Sequence, residues 1–265
     1  QQIVPKAISE ANVDISDIDI YCATCGPGLI GGLLVGSTLA KSMAIGFNKP
    51  FFPINHLEGH LLSPSFTVKM SFPNISFLLT GGHTQIYLLR DIGNYKLLGE
   101  TIDDAVGETF DKVAKLLGLD YPGGPALERF AKLNKLYDYK LPHPLKYKNN
   151  LNFSFSGIKT AVNLIIKKKV KMNKSKKSSL AKIFQDKIVE ILIAKAKLTF
   201  KKLKSRYDIK DVAVVGGVAA NKSIRKSFEI LCQKNNYRLI IPPINLCGDN
   251  AAIIALVCIE KLKKN

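Results

Sequence analysis

His56 and His60 stand four residues apart in the run Asn55-His56-Leu57-Glu58-Gly59-His60, in a chain with four histidines. On a helix, positions i and i+4 share a face with Cβ atoms about 5–6 Å apart, so two imidazoles can hold one metal ion. Two ligands leave such a site open, and Asp249 in Leu246-Cys247-Gly248-Asp249-Asn250 is the candidate third. One chemistry is excluded by the same spacing. In zinc proteases the glutamate directly follows the first histidine, whereas here Leu57 does and Glu58 comes one position later. At roughly 3.6 residues per turn, that step swings the carboxylate about 100° away, which rules out peptide hydrolysis.

The stretches that must position these residues alternate between strand and helix. Gln2 to Ala11 reads as a helix with Pro5 near its start, and Ile18 to Ala23 as a strand. Gly26 to Gly32 leads into a helix reaching about Ile45; its apolar run Gly28–Ala40 is short of a bilayer span and reads as a buried helix. Phe51 to Ile54 is a short strand just before the histidines. Ser76 to Leu89 forms two β-rich runs around Gly81-Gly82, a hairpin pattern. Its tip, Thr80 to Thr84 with His83, would gather free backbone N–H groups and hydroxyls as a phosphate loop does; an ordinary Gly-Gly turn is the alternative.

Further on, Val106, Phe110, Val113 and Leu117 make the apolar stripe of a helix over Asp104–Leu117, with Asp104, Glu108, Asp111 and Lys115 on the opposite face. Gly123 and Gly124 in Asp120–Pro125 offer bare backbone to a ligand. Phe153–Thr160 opens a helix with Ser156 or Ser154 as N-cap, and Ser179–Lys204 is a long amphipathic helix. Val212–Val215 is a buried strand that ends in Gly216-Gly217 and enters a helix near Asn221, the arrangement in which α/β proteins seat nucleotides. Leu239–Ile241 is a further strand, and Asp249 begins a final apolar helix reaching about Ile259. The sum is an α/β chain with mixed sheets in two lobes.

At 265 residues and 46% hydrophobic content, the chain can build one large or two small cores. The net charge is +18, and between Asp138 and Asp186 there is no acidic residue but twelve lysines, seven of them from Lys167 to Lys177. Such a field favours a polyanion such as RNA, the alternative being a solvated Lys/Ser/Asn loop. Five cysteines, an odd number without a framework, fit a reducing compartment. Cys22 and Cys25 have redox or zinc spacing but no companion pair, and read as inert. The chain opens on Gln1 inside a helix pattern, which is the expectation for a sequence cut at its front.

Eight stretches, in order, resemble the TsaD (Kae, Gcp) family of tRNA N6-adenosine threonylcarbamoyltransferases over nearly the whole chain. They are Gly26-Pro27-Gly28-Leu29, His56-Leu57-Glu58-Gly59-His60, Gly81-Gly82-His83-Thr84-Gln85, Phe110-Asp111-Lys112, Tyr121-Pro122-Gly123-Gly124-Pro125, Phe153-Ser154-Phe155-Ser156-Gly157, Gly216-Gly217-Val218-Ala219-Ala220-Asn221 and Cys247-Gly248-Asp249-Asn250. The resemblance implies an actin-like, Hsp70-like ATPase (ASKHA) fold of two related lobes. Residues 1–71 would form the first, incomplete at its N-terminus and rejoined by the C-terminal helix 249–265, and residues 72–248 the second. It implies transfer of threonylcarbamoyl from threonylcarbamoyl-AMP to N6 of the adenosine following the anticodon, in tRNAs that read codons beginning with A.

By position, His56, His60 and Asp249 look like ligands of one divalent metal ion, iron or zinc. Leu78, Leu79, Thr80, Gly81, Gly82, Asp111, Gly124 and Asn221 look like contacts to threonylcarbamoyl-AMP or ATP/ADP. The implied partners are tRNA and either TsaB-like and TsaE-like accessory subunits or a second copy in a homodimer, with no membrane. The implied compartment is the cytoplasm, or a mitochondrion or plastid if a transit peptide preceded Gln1.

Gly248 stands where the family usually has threonine, and Thr80 where serine is common. The family's leading β-hairpin with its phosphate loop, and its C-terminal tail, are not in this sequence; a truncated, non-catalytic metal- and tRNA-binding homologue is therefore the alternative. A sugar kinase of the same fold is disfavoured, because such enzymes hold Mg²⁺ through oxygen ligands rather than histidines.

Overall fold

In the computed structural model, which describes residues 2–132, 139–146, 148–168 and 172–264, the chain runs through α1 (Ile3–Ala11), β1 (Tyr21–Gly26), α2 (Ile30–Gly46), β2 (Phe51–Asn55), α3 (His56–Leu62), β3 (Asn74–Leu79), β4 (Thr84–Asp91) and β5 (Asn94–Glu100). It continues through α4 (Val106–Leu117), α5 (Gly123–Phe130), α6 (Ser156–Lys168), α7 (Lys174–Leu203), β6 (Asp211–Val215), α8 (Lys222–Lys234), β7 (Arg238–Ile240), α9 (Ile244–Cys247) and α10 (Ala251–Leu262). It divides into two units, residues 1–62 with 250–265, and residues 63–249. Among the described residues, no helix is long and apolar enough to cross a membrane.

In the first unit β1 and β2 pair in parallel, Tyr21 opposite Phe51. The strand expected from Ile18 starts only at Tyr21, because the residues ahead of it are spent on a 3-10 turn over Ile15–Asp17. Asp14 and Asp17 close that turn reciprocally: Ser16 N donates to Asp14 Oδ1 (2.8 Å) and Asp14 N to Asp17 Oδ2 (3.0 Å). α3 follows β2 without a loop, since Asn55 Oδ1 accepts from Leu57 N (2.9 Å) and Glu58 N (3.3 Å).

Gly59 brings α3 hard against α10: a Cβ there would lie 3.0 Å from Ile254 Cδ1 and 3.1 Å from Ile253 Cγ1. α2 departs from the expected buried helix. Only Ala44 is buried, while Ile30, Leu34, Val35, Leu39 and Ile45 are exposed. Its apolar residues point all round, and the two strands beside it cover one side only.

The second unit holds a five-stranded sheet in the order β5-β4-β3-β6-β7. β3 and β4 form the foreseen antiparallel hairpin, and β6 adds in parallel to the other edge of β3. Every residue of β3 is buried, as in a strand covered on both faces. Phe77 meets Phe228 of α8 edge-on at 5.0 Å, and Phe110 of α4 meets Phe184 of α7 at 5.2 Å. The stripe Val106, Phe110, Val113 and Leu117 is wholly buried. Its opposite face is not one solvated band, because Asp104 and Glu108 each hold Lys112 Nζ at 2.7 Å and Asp104 also pairs with Lys159 at 3.2 Å.

α6 is capped neither by Ser154 nor by Ser156. Asp103 does it from outside the helix, its carboxylate accepting from Phe155 N (2.8 Å), Ser156 N (3.4 Å) and both serine hydroxyls (2.5 and 2.8 Å). Burial pushes that carboxyl up, but these donors outweigh it and hold it below the usual carboxylate range.

Where the lysine-rich stretch is described, most of it is helical rather than loop. Lys167 and Lys168 end α6, and Lys174, Lys176 and Lys177 open α7, where Asn173 Oδ1 accepts from Lys176 N (2.9 Å). Lys169, Lys171 and Asp138 lie outside the described residues. α7 thus starts five residues before the expected Ser179.

Candidate metal centre and nucleotide cavity

The α3 helix turns His56 and His60 to one side, their rings 4.9 Å apart and inclined at 77°. His60 is buried and His56 half-buried. Asp249 comes one residue ahead of Asn250, whose side chain caps α10 by accepting from Ile253 N (3.1 Å). The packing of α3 on α10 at Gly59 therefore also brings the start of α10 to the histidine pair. One ligand atom from each of His56, His60 and Asp249 lies within 4.8 Å of the others. Glu58 is buried and turned aside, as its position on the helix predicts, and pairs with Lys261 Nζ of α10 at 2.6 Å.

The donor set fits a metal ion. Ligand atoms about 2.0–2.2 Å from one ion lie roughly 3–4 Å apart, so three groups within 4.8 Å of one another can close on a shared ion by adjusting their side chains. Two imidazoles and a carboxylate suit zinc, iron or manganese.

A cavity of about 580 Å³ opens within the second unit. Three helix N-termini contribute to its wall: Gly107 in the first turn of α4, Gly124 in the first turn of α5, and Asn221 at the cap of α8. Several of their first N–H groups are already engaged, Gly107 N by Thr80 O (3.2 Å) and Lys222 N by Glu128 (2.7 Å), so what these turns offer a phosphate is chiefly the positive ends of three helix dipoles. Gly81 of the hairpin tip, Asp111 and Gly248 also line it.

Backbone crowding sets this geometry. A Cβ on Gly107 would lie 2.6 Å from Thr80 O, and one on Gly123 would lie 2.6 Å from Asp111 Cα. Gly216, at φ +92°, would place a Cβ 2.5 Å from Leu79 O. Only glycine allows these approaches.

The sequence-derived contacts divide accordingly. Gly81, Asp111, Gly124 and Asn221 come together at the cavity. Leu78 and Leu79 are fully buried in β3 and do not line it. Nor do Thr80 and Gly82, and the expected array of free donors at the tip is largely used internally. Thr80 Oγ1 accepts from Gly82 N (3.2 Å) and His83 N (2.9 Å), and Thr84 Oγ1 accepts from Val106 N (2.8 Å), capping α4. Asn221 spends its amide likewise, accepting from Ile224 N (3.0 Å) and donating to Gln185 Oε1 (3.0 Å). Asp111 Oδ1 accepts from Gly123 N at 2.8 Å.

Gly217, from the Gly-Gly strand end read as a nucleotide seat, lines the cavity as well, and Gly107, Phe110 and Glu128 line it without having been singled out for it. Gly107 carried a readable signal, a glycine in the first turn of an otherwise regular helix. Glu128 carried none, since it is placed there by accepting from Lys222 N at 2.7 Å.

An α/β sheet with a phosphate-type hairpin and helix N-termini around a cavity defines an ASKHA-type protein, the sugar-kinase, Hsp70 and actin class. Solved structures bear this out: a full-length HypF in its phosphate- and nucleotide-bound form aligns with 100% of this chain and 41% of its own at TM-score 0.66 and 13% identity. HypF of T. kodakarensis aligns with 98% of this chain and 44% of its own at TM-score 0.64 and 16% identity. The model of the TsaD family, described as tRNA N6-adenosine threonylcarbamoyltransferase, matches residues 1–256. This chain belongs to that family, whose members are acyltransferases. Proteins of that name from Pelagibacter ubique and Brucella suis are 49% and 44% identical to it over 263 residues, covering 98% of this chain and 73% of theirs.

Proposed function

We propose that the chain transfers a threonylcarbamoyl group from threonylcarbamoyl-AMP to N6 of the adenosine following the anticodon, in tRNAs that read codons beginning with A. One observation carries this reading: a ligand atom from each of His56, His60 and Asp249 lies within 4.8 Å of the others, a donor set suited to a divalent metal ion.

His56, His60 and Asp249 would hold one divalent metal ion, iron or zinc. When bound, the metal supplies a Lewis acid for a carbonyl or a hold for the threonyl carboxylate. The N-terminal turns of α4, α5 and α8, with Gly81, would orient the adenylate and steady the phosphate charge as AMP leaves. The adenosine amine is itself the nucleophile, so no side chain need attack. The net charge of +18 supports tRNA as the polyanion.

Exposed apolar residues along α2, Ile30, Leu34 and Val35 among them, support a TsaB-like accessory subunit or a second copy as partner, with a TsaE-like subunit completing the assembly. Five free cysteines support a reducing compartment, the cytoplasm first.

The test is transfer of the labelled threonylcarbamoyl group from threonylcarbamoyl-AMP to tRNA by the chain with its accessory subunits, alongside metal analysis. His56→Ala and His60→Ala should each abolish both metal content and transfer. Full transfer by a metal-free double variant would overturn the proposal.

A further inference from the structure

Lys195 lies in the C-terminal half of α7 and is only 4% exposed, yet among the described residues the acceptors of its Nζ are neutral: Asn150 O at 2.8 Å and Leu145 O at 3.5 Å. A buried cation ordinarily has a carboxylate partner. Burial and the nearby charge of Lys202 together push this ammonium's pKa down. Lys195 lines a cavity of about 270 Å³ together with Lys146, Lys148 and His143.

Across the wall formed by Asn149 lies a second cavity of about 440 Å³, lined by Lys96, Lys202 and Arg206. Lys202 Nζ donates to Asn149 O at 2.7 Å, so both α7 lysines clamp the segment that separates the two cavities. The described linings bring together six cationic side chains and no carboxylate. The carboxylate beside His143, Glu190, is already held by Lys187 and by His143 Nδ1 at 3.0 Å.

We infer that these adjoining cavities are a binding site for the phosphodiester backbone of RNA, separate from the nucleotide cavity. Two basic hollows sharing one thin wall suit a ligand whose anions repeat along its length rather than a single phosphate. An incoming phosphate would add negative charge beside Lys195, whose described acceptors are neutral. The inference rests on the reading that the protein acts on tRNA, and it names the surface that holds the tRNA backbone rather than its sequence.

The experiment measures binding of a substrate tRNA, and of an unrelated RNA of similar length, across a range of salt concentrations. The chain with its accessory subunits is compared with the variants K96Q/K202Q/R206Q and K146Q/K148Q and with a control, K6Q/K226Q/K234Q, neutralised elsewhere. Thermal melting establishes that each is folded; Lys146 and Lys148 are exposed, which keeps the double variant usable if the triple melts early.

The expected result is weaker binding of both RNAs by the cavity variants. The slope of log Kd against log salt becomes shallower by about one for each phosphate that is no longer neutralised, while the control keeps the slope of the unaltered protein. Equal losses in cavity and control variants would overturn the site, as would unchanged binding by folded cavity variants or no RNA binding by the unaltered protein. If RNA binding follows this pattern but no threonylcarbamoyl reaches tRNA, the transfer reading fails while the site stands.

Discussion

At the histidine helix, His56 and His60 gather with Asp249 around one space, with a ligand atom of each within 4.8 Å of the others. At the hairpin tip, twenty residues on, the hydroxyls of Thr80 and Thr84 turn inward: one accepts from Gly82 N and His83 N, the other from Val106 N. Both stretches carry residue types that could bind a ligand. In the first, Lys261 pairs with Glu58 and holds that carboxylate aside. In the second, the polar groups complete the scaffold, and the ligand-facing surface is left to backbone at Gly81 and Gly107. Side chains therefore identify a metal site directly, whereas a phosphate site is built from the backbone those side chains shape.

The contrast can be broken by asking what each region loses on substitution. H56A/H60A should lose more metal affinity than the roughly 10–100-fold that removing an outer hydrogen-bond partner of a ligand costs. Its melting temperature should match that of the unaltered protein stripped of metal. A melt well below that of the stripped protein would make the histidines scaffold after all.

Gly107→Ala tests the other region, because two effects compete. Alanine favours a helix by about 1 kcal/mol, but its Cβ would sit 2.6 Å from Thr80 O. Overpacking of about 1–3 kcal/mol should win, giving a lower melting temperature and weaker adenine nucleotide binding. A stabilised variant would show that the tip yields easily.

Thr84→Val should cost about 1 kcal/mol in denaturant unfolding, since it removes the cap of α4 and keeps the shape. No change would mean that water replaces the hydroxyl.

The smallest expected effect concerns pH. Burial raises the Asp103 carboxyl, but Ser154, Phe155 N–H and Ser156 together hold it below its ordinary value. The stabilisation it brings is complete above the unfolded value, near 3.9, and is lost as pH falls through the lowered folded value. The melting advantage of the unaltered protein over Asp103→Asn should therefore be steady at neutral pH and shrink below about pH 4. An advantage that grows on acidification would contradict the assigned cap.

Elements with strong periodicity were legible in advance. The stripe Val106, Phe110, Val113 and Leu117 specified α4, and the run Val212–Val215 specified β6. Asn94–Glu100 gave no strand signal because β5 is an edge strand, open to solvent along most of its length. α5 was hidden because Gly123-Gly124-Pro125 reads as a loop, although proline and glycine are tolerated in a first turn. The early start of α7 had no apolar repeat to announce it among Lys174 to Ser178. At the cavity, Glu128 was invisible because hydrogen bonding to Lys222 N, ninety-four residues away, is what puts it there.

The sequence by itself determined the histidine pair, the sideways turn of Glu58, the hairpin, the buried strands and the family, because these depend on local spacing and on motifs in order. The sequence also named Asp249 as the third member of the cluster, by its motif; tertiary structure alone decided that Asp103 and Thr84 cap helices they do not belong to, and that Lys195 is buried with neutral described acceptors beside two basic hollows. Each of those is a contact between residues far apart in the chain, and local periodicity carries no record of which distant partner the packing will bring near.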